Sequence, residues 1–219
     1  MKVLALPLFV LGAATWSAQV CTAEPWHEPL RRMPLIPETV LNRDNCIPVL
    51  LGAFRSNHIV KALVFLPGVS DDFYLINREG PKLNIKATNL LEAITAITNA
   101  TAVRITFSPP FLLLHLERDQ TQPSLTIQPA ADALKRQTHI PRASWVDMHW
   151  ERVQPILEGA LRVKILPAAK SEDAWHFARH NLAAWNLTDW ELLSALSLTG
   201  RTKVSIERRR IMFALPQAP

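Results

Sequence analysis

The spacing of apolar residues divides the chain into two blocks, and each block predicts short strands around a capped helix. In the first block, Asn89 followed by Glu92 is a capping box, which marks the start of a helix. The apolar residues of that helix recur on one face, at Leu90, Leu91, Ile94 and Ile97. Apolar and β-branched runs predict strands at 62–66, 83–87, 102–107 and 111–116.

The second block repeats the same order of elements. Thr188 with Glu191 is a second capping box, and Gly200 is placed to end the helix that follows it. The residues at 202–207 and 211–215 predict a closing hairpin, and those at 144–161 a longer helix. Each block is therefore an α+β unit that ends strand, helix, strand, strand.

The two blocks also resemble each other in sequence, which favours an internal repeat. The matching segments are 48–54 with 155–161, 65–67 with 165–167, 70–74 with 171–175, and 97–105 with 198–206. We predict an α+β fold with two tandem copies of one small module, at residues 46–117 and 144–219. The second copy has its own capped helix, hairpin and most of the tryptophans, so we expect it to fold alone.

The segments outside the two modules are rich in proline. Residues 24–45 carry four prolines and little periodicity, which predicts an extended arm with no core of its own. Residues 118–143 are polar with three further prolines, and they form the predicted linker between the modules.

Residues 1–23 predict an export signal. Lys2 precedes an almost uninterrupted apolar run, and small residues allow cleavage after Ala23. An uncut membrane anchor is the alternative. The mature chain has no later run long and apolar enough to span a membrane, so we expect a periplasmic or extracellular protein. Cleavage would leave Cys46 without an intrachain disulfide partner and would exclude a zinc site built on cysteines.

Composition and charge narrow the classes of function. Of the 219 residues, 48% are apolar and 20% are charged, which supports a buried core and excludes a largely disordered chain. Only 6 residues are glycine, which argues against a glycine-rich nucleotide loop. The net charge of +5 is typical of nucleic-acid binding, but export argues against that partner. We expect an envelope protein or an anionic surface component as the partner.

A short strand, a capped helix with Leu-x-x-Ala/Ser spacing, a turn with Thr-Asn or Thr-Gly, and a hairpin occur in each block. This order resembles the small periplasmic modules of secretins and TonB-dependent receptors, the short N-terminal domain type. The matching segments are 83–116 and 182–215. The chain departs from that family because no secretin barrel or receptor plug follows and because the second copy is rich in tryptophan. The resemblance implies an exported binding or assembly module without catalytic residues.

Aromatic and basic side chains of the second copy are the candidate contacts to a partner. They are Trp175, Trp185, Trp190, Arg208, Arg209 and Arg210. An indole can anchor a protein interface or stack on a sugar, with packing in a small core as the alternative. The arginines lie at the predicted hairpin turn. One interpretation is that they bind an anionic partner, and the alternative is that they only discourage pairing between strand edges.

A pair of histidines offers an enzymatic alternative. His176 and His180 are four residues apart, a spacing that places both imidazoles on one face of a helix, where they could hold zinc. Two structural histidines beside aromatic residues are the other interpretation. The leading prediction is thus a non-enzymatic exported binding or scaffolding protein of the cell envelope without a cofactor. The alternative is an exported hydrolase or metal-dependent enzyme centred on this pair.

Overall fold

The part of the chain that the structure describes contains both helices and mixed sheets, and the predicted α+β class is confirmed. A computed structural model describes residues 24–37, 39–69, 84–117, 140–167, 179–200, 202–207 and 210–214. The helices there are α1 (His27–Arg31), α2 (Cys46–Ala53), α3 (Leu90–Ala100), α4 (Trp150–Leu161) and α5 (Asp189–Gly200). The strands are β1 (Val40–Leu41), β2 (Ala62–Phe65), β3 (Ile85–Lys86), β4 (Val103–Ser108), β5 (Phe111–Leu116), β6 (Ile140–His149), β7 (Lys164–Pro167), β8 (Arg179–Leu187), β9 (Lys203–Glu207) and β10 (Arg210–Ala214). None of the helices in these ranges has the length and apolar character needed to cross a membrane.

Both predicted helix starts are capped by side chains; the box at Thr188 and Glu191 is reciprocal, whereas Glu92 accepts from the residue before the Asn89 cap. The backbone N–H of Glu92 donates to the Asn89 side chain at 3.0 Å, and the Glu92 carboxylate accepts from the backbone N–H of Thr88 at 2.9 Å. The hydrogen bonds from Thr88 lower the pKa of the Glu92 carboxyl. In α5, Glu191 N–H donates to the Thr188 hydroxyl at 3.2 Å, and Thr188 N–H donates to the Glu191 carboxylate at 2.8 Å. These local signals fix where α3 and α5 begin.

The helix predicted over 144–161 begins only at Trp150, because the first six of those residues belong to β6. In that strand, buried Ala143 and Trp145 alternate with exposed Ser144 and Val146, which is the two-residue period of a sheet. The strand also includes the last four residues of the predicted linker, since residues 140–143 pair with β8. The rest of the linker, 118–139, lies outside the described residues.

The proline-rich segment 24–45 is not extended throughout and is not separate from the core. It contains α1 and β1. Its buried side chains pack into the N-terminal core, and they are Trp26, Leu30, Met33, Leu35 and Leu41. The segment has no core of its own, as expected, because these side chains complete the core of the residues that follow.

Strands from both predicted modules form one five-stranded sheet, in the order β4-β5-β2-β8-β6. Its central pairings are β2 with β5, which is parallel, and β2 with β8, which is antiparallel. A two-stranded sheet pairs β1 with β3, and a three-stranded sheet has the order β7-β10-β9. The boundary predicted at the linker therefore does not separate two sheets.

The pairings of the N-terminal half (α1 to β5) and the C-terminal half (β6 to β10) follow the same scheme. β1 pairs antiparallel with β3, and β6 pairs antiparallel with β8. Each closing hairpin then places its second strand parallel to an earlier strand, β5 beside β2 and β10 beside β7. The internal duplication itself stays a prediction.

Each half contributes to the core of the other. The first core lies between one face of the five-stranded sheet and the helices α1, α2 and α3, and it includes Ala183 from β8. The second core lies on the opposite face, against α4 and α5. The N-terminal half supplies the second core with Ala62, Val64, Leu66, Phe111 and Leu113. An ion pair also joins the halves, with Lys61 Nζ 2.9 Å from the Glu191 carboxylate.

This shared packing argues against independent folding of residues 144–219. A fragment of those residues would expose the apolar side chains that normally pack against β2 and β5. It would also leave unpaired the backbone edge of β8 that normally pairs with β2. We expect the fragment to lack near-UV dichroism and to melt without cooperativity, whereas residues 24–219 melt in one cooperative transition. A cooperative transition in the isolated fragment would contradict the shared core.

Cys46 gives a second test of the N-terminal core. The residue opens α2, its side chain is fully buried, and burial raises the pKa of its thiol to about 12. Because the thiolate is the reactive form, we expect native residues 24–219, which lack Cys21, to resist Ellman's reagent at mildly alkaline pH and to react in denaturant. The variant Ser144→Cys places a thiol on an exposed position of β6 and should react at once in the native state. Equal labelling rates at the two cysteines would contradict the burial.

Candidate functional site

The tryptophans in the described ranges differ in exposure, and Trp185 is the most accessible of them. The buried ones, each at most 9% exposed, are Trp26, Trp145, Trp150 and Trp190. Burial of Trp190 favours core packing over its predicted role in binding. Trp175 lies outside the described residues. Trp185 is half-buried on β8, so of the two candidate tryptophans that the structure describes it is the one that a partner can touch.

Two arginines lie over the Trp185 ring. Arg142 is the residue directly opposite Trp185 in the β6–β8 pairing, and its Cζ is 5.2 Å from the centre of the indole. Arg55 follows the end of α2, and its Cζ is 5.8 Å from the same centre. Both distances are within the range of a cation–π interaction. We call Arg55, Arg142 and Trp185 the Trp185 surface.

Neighbouring groups hold this surface in place. The backbone N–H of Trp185 donates to the backbone carbonyl of Lys61 at 3.1 Å, and the indole contacts the buried Phe54 ring, with the ring centres 5.6 Å apart. Arg55 Nη1 donates to two carbonyls at the end of α2, those of Gly52 at 2.6 Å and Phe54 at 2.7 Å. The negative end of the helix dipole also stabilises a cation at this position. The Arg55 side chain is thus fixed before any partner arrives.

The charge of the two arginines is not neutralised within the described part of the chain. Neither guanidinium forms an ion pair with a carboxylate there, and both residues are exposed. The nearby cation, Lys61, is already paired with Glu191. The surface therefore presents an apolar ring and two positive charges, an arrangement suited to binding an anion beside an apolar group.

Sequence reasoning found Trp185 but missed both arginines. Arg142 falls in the segment predicted as linker, and Arg55 falls in the connection between α2 and β2. The signal that connects Arg142 to Trp185 is the register of β6 against β8. That register depends on a strand that the helical prediction for 144–149 concealed.

His180 is a core residue in the structure. It lies in β8 and not in a helix, so the helical spacing that linked it to His176 does not hold. Its side chain is fully buried, its Nδ1 is hydrogen-bonded to the Thr199 hydroxyl, and its ring centre is 5.7 Å from that of Trp150. His176 lies outside the described residues, and within the described ranges no three His, Cys, Asp or Glu side chains cluster as metal ligands would.

The predicted arginine strip is only partly described. Arg208 and Arg209 lie outside the described residues, and Arg210 is the first residue of β10, opposite Glu207. The hairpin predicted there does form, between β9 and β10. The role of the strip in binding stays a prediction.

Burial of His180 makes stability depend on pH. Burial lowers the pKa of this imidazole from 6.5 to about 4, because the charged form is poorly solvated in the second core. The unfolded chain therefore binds a proton before the folded chain does. With respect to this residue, the folded state is most stable above pH 6.5, and its free energy of unfolding decreases as the pH falls towards 4. The full decrease is roughly 3 kcal/mol, since one pKa unit corresponds to about 1.4 kcal/mol.

We expect the urea-unfolding free energy to fall more steeply in the wild type than in His180→Gln between pH 7 and pH 4.5. Gln retains a polar side chain but does not titrate, so the difference between the two slopes isolates His180 from the other histidines. Parallel slopes in the two proteins would show that His180 is already accessible to protons in the folded state.

Neither a scan against protein-family models nor searches of curated proteins and of solved structures find a match to this chain. The proposals that follow therefore rest on the residues and distances described above.

Proposed function

We propose that this chain is an exported, non-enzymatic binding or scaffolding protein of the cell envelope, and that its partner docks on the Trp185 surface. One observation carries the proposal. A half-buried indole lies under two exposed arginines that pair with no carboxylate in the described part of the chain. Trp and Arg are among the residue types enriched at the positions that contribute most to binding in protein interfaces.

The rigidity of the surface supports a role in binding. Trp185 is a residue of an interior strand, and the Arg55 guanidinium is tied to the end of α2. Ordering loose side chains costs about 0.5–1.5 kcal/mol for each one that a partner immobilises. A surface that is already ordered avoids much of that cost, so a small contact area can still give useful affinity.

The position of the surface supports a scaffolding role. Arg55 belongs to the N-terminal half, whereas Arg142 and Trp185 belong to the C-terminal half. The surface exists because the pairing of β2 with β8 brings the halves together. A partner bound there would contact both halves and would favour their assembled arrangement.

Location and partner class are part of the same proposal. Residues 1–23 have the pattern of an export signal, and the order of elements resembles the periplasmic modules of secretins and TonB-dependent receptors. Both features support an envelope protein or an anionic surface component as the partner, and no nucleic acid.

The test is to crosslink residues 24–219 to their partner in the native envelope, to purify the protein, and to measure how much of the partner is retained. Trp185→Ala removes the indole, and we expect it to lose most of the retention, since truncating a central Trp typically costs 2 kcal/mol or more, about 30-fold in affinity. Ile156→Ala is the matched control, because Ile156 is 49% exposed on α4, on the opposite side of the five-stranded sheet.

Melting temperatures of both variants establish that they are folded at the temperature of the assay. Equal retention by the wild type and a folded Trp185→Ala protein would mean that the partner docks elsewhere, and the proposal would then have to be withdrawn.

A further inference from the structure

We infer that the Trp185 surface recognises the carboxylates of an acidic peptide segment, with two acidic residues spaced i and i+2 in an extended strand. This inference rests on the proposed function and names the chemistry of the partner. It follows from which donors of the two guanidiniums remain available, from how far apart they are, and from the indole beneath them.

The two arginines keep most of their hydrogen-bonding capacity. A guanidinium has five N–H donors in a planar fork. In the described part of the chain, the Arg142 side chain donates to no acceptor, and Arg55 uses only Nη1, leaving its Nε and Nη2 donors available. Planar pairs of N–H groups match the two oxygens of a carboxylate, and such bonds are stronger than those between neutral groups.

The distance between the two guanidiniums limits the spacing of the acids. The two Cζ atoms lie 5.2 and 5.8 Å from one ring centre, so they are at most about 11 Å apart. In an extended peptide, residues i and i+2 project from the same side and are separated by about 7 Å along the strand. This separation lies within the upper limit set by the two guanidiniums, so two acidic side chains at that spacing can each reach one of them.

The surroundings favour a peptide over a lipid surface. Recognition of anionic lipids typically uses clusters of about four to eight basic residues. Here the adjacent Lys61 is neutralised by Glu191, and the cations that the described residues place over the indole are two arginines, beside the buried Phe54 ring. A few fixed charges around an aromatic anchor are typical of peptide and protein interfaces.

The experiment measures binding of fluorescent peptides to residues 24–219 by anisotropy at low ionic strength. The probe is a Gly/Ser peptide with a central Glu-Ser-Glu, and its control carries Gln-Ser-Gln at the same positions. Vesicles of phosphatidylglycerol and phosphatidylcholine form a separate arm that offers phosphate without carboxylate. We expect the Glu peptide to bind, the Gln peptide to bind at least about fivefold more weakly, and added salt to weaken binding.

Arg142→Gln is the informative variant, because the Arg142 side chain makes no hydrogen bond within the described residues and its loss should leave the fold intact. Arg152→Gln removes the same charge from an exposed position on α4, beyond the opposite face of the sheet. We expect roughly five- to tenfold weaker binding of the Glu peptide by Arg142→Gln, since one charge-assisted contact is lost, and little change by Arg152→Gln.

Three results would overturn the inference. Equal weakening by the two Arg variants would show non-specific attraction to net charge. Equal binding of the Glu and Gln peptides would show that carboxylates are not recognised. Binding of the vesicles through Arg142, with no binding of the Glu peptide, would assign the surface to lipid phosphate.

The proposed function can fail separately. Peptide binding that depends on Arg142, together with native retention that survives Trp185→Ala, would support carboxylate recognition and contradict the docking of the native partner. Retention that requires Trp185 without any peptide binding would give the opposite result, because the partner would then be recognised through other chemistry.

Discussion

The antiparallel pairing of β2 with β8 is the interaction on which the rest of the structure depends. It joins Ala62–Phe65, four fully or almost fully buried residues, to residues 181–184. Neither strand is then left with an unpaired interior edge, since β5 covers the other side of β2 and β6 covers the other side of β8. Buried backbone groups need such partners, because an unsatisfied N–H or C=O in an apolar core costs about 1–3 kcal/mol.

Because of the same pairing, the sheet has two buried faces, and each face packs against a different set of helices. Side chains alternate along β2, so Leu63 and Phe65 enter the first core while Ala62 and Val64 enter the second. On β8, Ala183 and Trp185 face the N-terminal helices, and Leu182 and Ala184 face α4 and α5. The half-buried position of Trp185, and hence the stack of Arg55 and Arg142 over it, follows from this alternation.

Local sequence signals predicted much of the fold. The capping boxes at Asn89 and Thr188 placed the starts of α3 and α5, and the apolar run at 111–116 placed β5. These features depend on residues a few positions apart. The strand β6 escaped prediction because the apolar residues Trp145 and Met148 are three residues apart, which fits a helical face, and the strand itself has a register shift between them. Which strands pair across more than a hundred residues, as β2 and β8 do, is decided by the whole core and has no local signal.

For the candidate site, the sequence supplied the aromatic residue and not its basic neighbours. Trp185 is conspicuous by type, whereas the significance of Arg142 depends on its register opposite Trp185 and that of Arg55 on the packing of α2. The most direct measurement of the central pairing is a set of cross-strand backbone NOEs in residues 24–219. We expect contacts between Val64 and Leu182 and between Leu63 and Ala183, with slow amide exchange along both strands. Absent contacts, together with exchange in β8 as fast as in an edge strand, would contradict the shared sheet and the surface built on it.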